Sequence, residues 1–138
     1  GHTASGYASF IGGGTYHTAS SCHTTISGGY SNMVSAGCAT IGGGCANTAS
    51  GAYATIGGGR THTVNGAWAT VSGGYGNTAS GQISFAVGYG NTASGCRSTV
   101  TGGQGNILSG GWSTVGGGLS NTSSGGCSTA GGGSSNTA

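Results

Sequence analysis

Asn or His recurs along this chain at a fixed interval, and that register limits what the chain can fold into more than any other feature. The anchors are His2, His17, Asn32, Asn47, His62, Asn77, Asn91, Asn106, Asn121 and Asn136, and eight of the nine intervals are 15 residues. The exception, Asn77 to Asn91, is 14 residues; it has lost one glycine after Val87 and keeps the pattern elsewhere. The repeat reads [Asn/His]-Thr-Ala-Ser-Gly-x-x-[Ser/Ala/Thr]-Thr-[Ile/Val]-Gly-Gly-Gly-x-x and is clearest from Asn47 to Thr61. A chain with 36 Gly in 138 residues could pass for a flexible linker, but a linker has no reason to hold a register from end to end. A fixed short period is the signature of stacked structural units. We expect one array over residues 1–138, with coils starting near 2, 17, 32, 47, 62, 77, 91, 106, 121 and 136 and no separate domains.

Within each repeat the alternation has the period of two that marks a strand. In Ala54-Thr55-Ile56-Gly57-Gly58 the first, third and fifth residues are small or apolar and Thr55 alternates with them. The third position reads Ile11, Ile26, Ile41, Ile56, Val71, Ala86, Val100, Val115 and Ala130, an expected core column. A second inward column runs Ala4, Ala19, Val34, Ala49, Val64, Ala79, Ala93, Leu108, Ser123 and Ala138. At about 3.3 Å per residue, 15 residues make a small coil of two strands and two turns. Stacking such coils about 4.8 Å apart pairs each strand with its copies above and below. The expected fold is therefore all-β, a parallel β-solenoid of about nine rungs, with Gly42-Gly43-Gly44 and their equivalents permitting turns at positive φ. A helix fails because each repeat brings four or five glycines, each costing about 1 kcal/mol in a helix interior. Collagen fails because Gly does not recur at every third position and Pro is absent.

The chain has no Asp and no Glu. That removes carboxylate-based glycoside hydrolysis, an acid to orient a catalytic His, and a hard oxygen cage for calcium. A net charge of +2 offers no basic patch for phosphates, so nucleic acid is not an expected partner. No run of 18 apolar residues is present, and membrane insertion is not expected. Neither catalytic, cofactor-binding nor metal-ligating residues are assigned. His17, Cys22 and His23 lack the paired spacing of a zinc site, and the glycine turns are not followed by the Gly-Lys-Ser/Thr of a phosphate loop. The expected protein is not an enzyme. The missing acids have a structural reading as well: stacking identical rungs aligns like charges, which destabilises a ladder.

The spacing Ala49-x-Gly51-x-x-Ala54-x-Ile56-x-Gly58, repeated over almost the whole chain, resembles the head repeats of trimeric autotransporter adhesins. The NTASG and TVGGG segments resemble shaft repeats of phage and large-virus fibre proteins. The resemblance implies a left-handed parallel β-roll, three chains about a common axis, display at the cell or virion surface, and attachment without chemistry. On that reading the chain is an extracellular structural segment and a homo-oligomer, as a trimer or a lateral fibre assembly, with a surface receptor or glycan as its further partner.

Outward positions carry the candidate sites. One corner column reads Ala8, His23, Cys38, Tyr53, Trp68, Ile83, Arg97, Trp112 and Cys127, and the other Thr15, Tyr30, Cys45, Arg60, Tyr75, Tyr89, Gln104, Leu119 and Ser134. Tyr53, Trp68, Trp112, Tyr30, Tyr75 and Tyr89 are the candidate contact residues, being of the types enriched in interface hot spots. Two threonine columns, with Thr40, Thr55 and Thr70 in one and Thr48, Thr63 and Thr78 in the other, raise an alternative. Regular Thr arrays on flat uncharged faces resemble ice-binding proteins; the competing reading is that Thr suits strands and forms cross-strand hydroxyl ladders. Five cysteines leave at least one unpaired, and Cys22 and Cys38 fall at neighbouring corners of adjacent rungs. Asn121-Thr122-Ser123 is the one glycosylation sequon.

Overall fold

A computed structural model describes residues 1–138. Eighteen short strands, most of them two residues long, form two nine-stranded sheets in which every pairing is parallel and joins one coil to the next. Thr48 and Ala49 lie opposite Thr63 and Val64 in one sheet, and Thr55 and Ile56 opposite Thr70 and Val71 in the other. The chain is an all-β parallel solenoid of about nine rungs built on the 15-residue repeat. Strand N–H groups donate to the following rung, as from Thr48 to the His62 carbonyl at 2.8 Å and from Thr55 to the Ala69 carbonyl at 3.0 Å. The short rung is absorbed in a turn. Gly74 pairs with Gly88 after a register shift beyond Val71 and Ala86, so Ser72 and Gly73 together face the single residue Val87.

The core is a stack of thin layers. Ile26, Ile41, Ile56, Val71, Val100 and Val115 are fully buried, facing Ala19, Val34, Ala49, Val64, Ala79, Ala93 and Leu108 across the coil. Ile11, in the first rung with a neighbour on one side only, is half-buried. Ala39, Ala54 and Ala69 complete a third inward column, continued by Ser84, Ser98 and Ser113. Small residues suit this position because the strand enters it from a tight corner. Ser98 and Ser113 satisfy their hydroxyls on the Gly95 and Gly110 carbonyls at 2.7 and 2.6 Å, and Ser84 does not.

The anchors form a fourth inward column, and it is polar. Asn47 is fully buried; its Nδ2 donates to the Gly43 and Gly59 carbonyls at 3.1 and 3.0 Å, and its Oδ1 accepts the His62 N–H at 2.9 Å. The same arrangement recurs at Asn32, Asn77, Asn91, Asn106 and Asn121. One amide side chain thus ties its own turn to the next rung. Histidine performs half of this function. Nδ1 of His17 and of His62 accepts the N–H of Asn32 and of Asn77 at 3.1 and 3.0 Å, while both Nε2 atoms are buried without a hydrogen-bond partner.

Burial pushes the His62 imidazole below its ordinary value of 6.5. A proton on Nδ1 would also face the Asn77 N–H, donor against donor. Well above pH 6.5 both folded and unfolded states hold His62 neutral and stability is independent of its titration. As the pH falls below that value the unfolded chain takes up a proton that the folded one resists, so stability declines toward acid. No side-chain carboxylate titrates alongside it. His62→Asn is expected to raise the melting temperature at pH 5 more than at pH 7.5. Thermal melts of both proteins at the two pH values check this, and equal increments would remove His62 as the source.

Candidate functional site

Two corners and two flat faces make up the outer surface. No cavity opens anywhere in it, and no three His, Cys, Asp or Glu side chains gather to hold a metal ion. No helix is long and apolar enough to cross a membrane.

The first corner follows the Gly51-type position. There the Trp68 N–H turns back and donates to the Ala52 carbonyl of the preceding rung at 2.9 Å, opposite in sense to the strand ladders. This reversal needs a left-handed residue. Ala8, His23, Cys38, Tyr53, Trp68, Ile83, Arg97, Trp112 and Cys127 all have φ between 52° and 59°. A left-handed conformation costs an L-residue about 1–2 kcal/mol, and a β-branched or bulky side chain rarely accepts it. Sequence reasoning placed positive φ on glycine alone and missed this column; the only signal was its fixed place in the repeat, two residues after the Gly51-type position. Tyr53 and Trp68 stack at 5.5 Å with their planes 2° apart, and the Arg97 guanidinium lies 5.2 Å from the Trp112 ring centre.

The second corner is built differently. Thr15, Tyr30, Cys45, Arg60 and Tyr75 pair rung to rung as isolated parallel bridges, and Tyr89, Gln104, Leu119 and Ser134 continue the column. The residue after each has φ near 60°, and here glycine does appear, at Gly76, Gly90 and Gly105. Tyr75 and Tyr89 stack at 5.1 Å, Arg60 lies 5.9 Å over Tyr75, and Tyr16 meets Tyr30 edge-on at 5.7 Å. The six candidate contact residues therefore do not form one site. Tyr53, Trp68 and Trp112 share the first corner, and Tyr30, Tyr75 and Tyr89 the second; all six are exposed.

The threonines also divide. Thr40, Thr55 and Thr70 belong to one sheet and Thr48, Thr63 and Thr78 to the other, so they line two separate faces instead of a single one. Met33 and Ile107 interrupt one face, and Phe10 and Phe85 the other. The expected hydroxyl ladders are absent. Threonine hydroxyls donate within the chain only at Thr24, Thr61 and Thr101, none of which lies in these columns.

All five cysteines are free thiols. Cys38 N–H donates to the Cys22 carbonyl at 3.0 Å, which places the two residues side by side on adjacent rungs. Asn121 of the sequon is fully buried in the anchor ladder, so the folded chain presents no acceptor there. No protein-family model matches the sequence, and no curated protein is similar to it.

Proposed function

We propose that this chain is a non-enzymatic structural segment of a surface fibre or adhesin, displayed outside a cell or on a virion and acting by self-assembly and multivalent attachment to a receptor or glycan. The observation that carries this reading is where variation is allowed. Inward columns and the anchor ladder repeat nearly unchanged, whereas Tyr, Trp, Arg, Ile and Leu change from rung to rung along the two exposed corners. Backbone ladders running the length of the array supply stiffness, and the corners supply adhesive contacts in register. With no acid and a net charge of +2, little repulsion keeps copies apart. The extracellular setting rests on the resemblance to adhesin and fibre repeats. Electron microscopy across a concentration series tests assembly: bundles or multi-chain particles are expected, and isolated rods about 43 Å long at every concentration would contradict it.

A second reading, ice binding, is favoured by one observation. The column threonines keep their hydroxyls free of protein partners, available to order water in rows about 4.8 Å apart. The stretch from Thr40 to Thr78 is free of the bulky interruptions. Thermal hysteresis decides between the readings. If a threonine face binds ice, Thr55→Tyr is expected to abolish hysteresis and leave assembly unchanged. Zero hysteresis with no ice shaping in the parent chain would eliminate ice binding.

A further inference from the structure

We infer that the first corner is a self-recognition edge along which two copies of this chain pair antiparallel, related by a twofold axis at Ile83. This rests on the self-assembly proposed above and specifies its partner, direction and register.

Beyond Ala8 and His23, which overhang the pairing, the column reads Cys38, Tyr53, Trp68, Ile83, Arg97, Trp112, Cys127 on seven successive rungs. Counted outward from Ile83, Trp68 and Arg97 lie one rung away, Tyr53 and Trp112 two, and Cys38 and Cys127 three. A twofold axis places each member of a pair against the other on the second copy, which is the self-complementarity an isologous contact requires. Ile83 meets its own copy, Trp68 meets a guanidinium, Tyr53 meets an indole, and Cys38 meets a thiol. Rungs have one spacing in both copies, so the register holds along the whole stripe of about 29 Å.

Charge selects the direction. In a parallel pairing Arg97 would oppose itself, and the chain has no Asp or Glu to neutralise two facing guanidiniums. Antiparallel pairing sets Arg97 against the ring of Trp68, a cation–π contact. Arg97 already lies over Trp112 on one side, so the second ring completes a sandwich. Surface remains to be covered, because Tyr53, Trp68, Ile83 and Trp112 are 52%, 52%, 46% and 60% exposed. The residue before each is Gly37, Ala52, Ala67, Gln82, Cys96 or Gly111 along Cys38 to Trp112, mostly small, and the column stands as a ridge.

The backbone gives independent support. Every residue of this column is left-handed, yet a chain with 36 glycines puts none there, while the left-handed column of the second corner accepts Gly76, Gly90 and Gly105. A left-handed column that excludes glycine on every rung points to a use for its side chains. Within the monomer the outer surfaces of this ridge touch nothing.

The test is a cross-link map. In the full chain carrying Cys22→Ser, Cys45→Ser and Cys96→Ser, only Cys38 and Cys127 remain as thiols. They lie six rungs apart in one chain, about 29 Å, beyond the reach of a short bismaleimide. Antiparallel pairing predicts a covalent dimer whose linked peptides join Cys38 to Cys127, outweighing Cys38–Cys38 and Cys127–Cys127 links by about tenfold or more. Ile83→Arg, which places two guanidiniums on the axis, is expected to reduce the dimer to background. Arg97 shows that the column accepts arginine at left-handed φ, and an unchanged circular dichroism spectrum verifies folding. Homotypic links in an associating chain would overturn the antiparallel pairing and leave self-assembly standing. Association with no link at either thiol would move the contact to another surface. A chain that neither associates nor cross-links would remove both.

Discussion

Gly44→Ala is expected to unravel the array, whereas Gly43→Ala, one residue earlier, leaves it intact. Gly44 has φ 89°, in the left-handed region, and an added Cβ would sit inside the contact distance of the Gly59 carbonyl oxygen and 2.8 Å from Asn47 Nδ2. Three penalties coincide. The backbone conformation costs an alanine about 1–3 kcal/mol, displacing a packed backbone costs about 1–3 kcal/mol, and disturbing the Asn47 amide takes its donor from the partly buried Gly43 carbonyl. A loss on the order of 4 kcal/mol is large against the stability of a domain. Gly43 has no positive φ, and a Cβ there would meet nothing within 4 Å. Alanine restricts the unfolded chain and is expected to stabilise by about 0.4–1 kcal/mol. Urea midpoints for the two variants should therefore move in opposite directions. Equal shifts would mean that the turn is not built as described. All nine members of the Gly44 column, from Gly14 to Gly133, are glycine. The Gly51 column by contrast admits Ser21 and Ala36, which lack the second N–H bond that Gly51 makes to the Val64 carbonyl at 3.1 Å.

Asn47→Ala is the second large effect. It removes the acceptor of the buried His62 N–H and the donor to the Gly43 carbonyl, while the Gly59 carbonyl keeps the Cys45 N–H at 2.9 Å. An orphaned buried backbone group costs about 1–3 kcal/mol, so a loss of about 3–5 kcal/mol is expected. Asn47→His should cost less, because Nδ1 keeps the acceptor role that His17 and His62 already fill. Hydrogen exchange at the His62 amide reads the effect locally. Exchange is expected to accelerate strongly in the alanine variant and to remain protected in the histidine variant. Equal protection in both would show that the ladder does not hold the rungs together.

Much of the solenoid was legible because its determinants are periodic. Ile26, Ile41, Ile56 and Val71 announce an inward column by recurring at 15 residues, and the alternation with Thr25, Thr40, Thr55 and Thr70 gives the face. What failed to show depends on backbone geometry within a turn. Gly42, Gly43 and Gly44 look interchangeable, yet one is packed against the next rung, one faces open space and one is left-handed. Left-handed Trp68 and Arg97 run against ordinary residue preference, so composition points away from them. The two threonine columns could share one face or line two, because sequence spacing does not say which sheet a strand joins. Columns are visible in the register, whereas the grouping of columns into surfaces requires the coil.

The departure from ordinary composition becomes intelligible at the level of assembly. A charge repeated on each rung would stack against its copies, and a chain made of columns avoids it. The same absence leaves aromatic corners unopposed by repulsion between molecules. Sedimentation equilibrium over a concentration series therefore tests the central claim most directly. A weight-average mass rising above the 12.8 kDa of one chain, and falling back to it in Ile83→Arg, is the expected result. A mass that stays at 12.8 kDa throughout the series would contradict it.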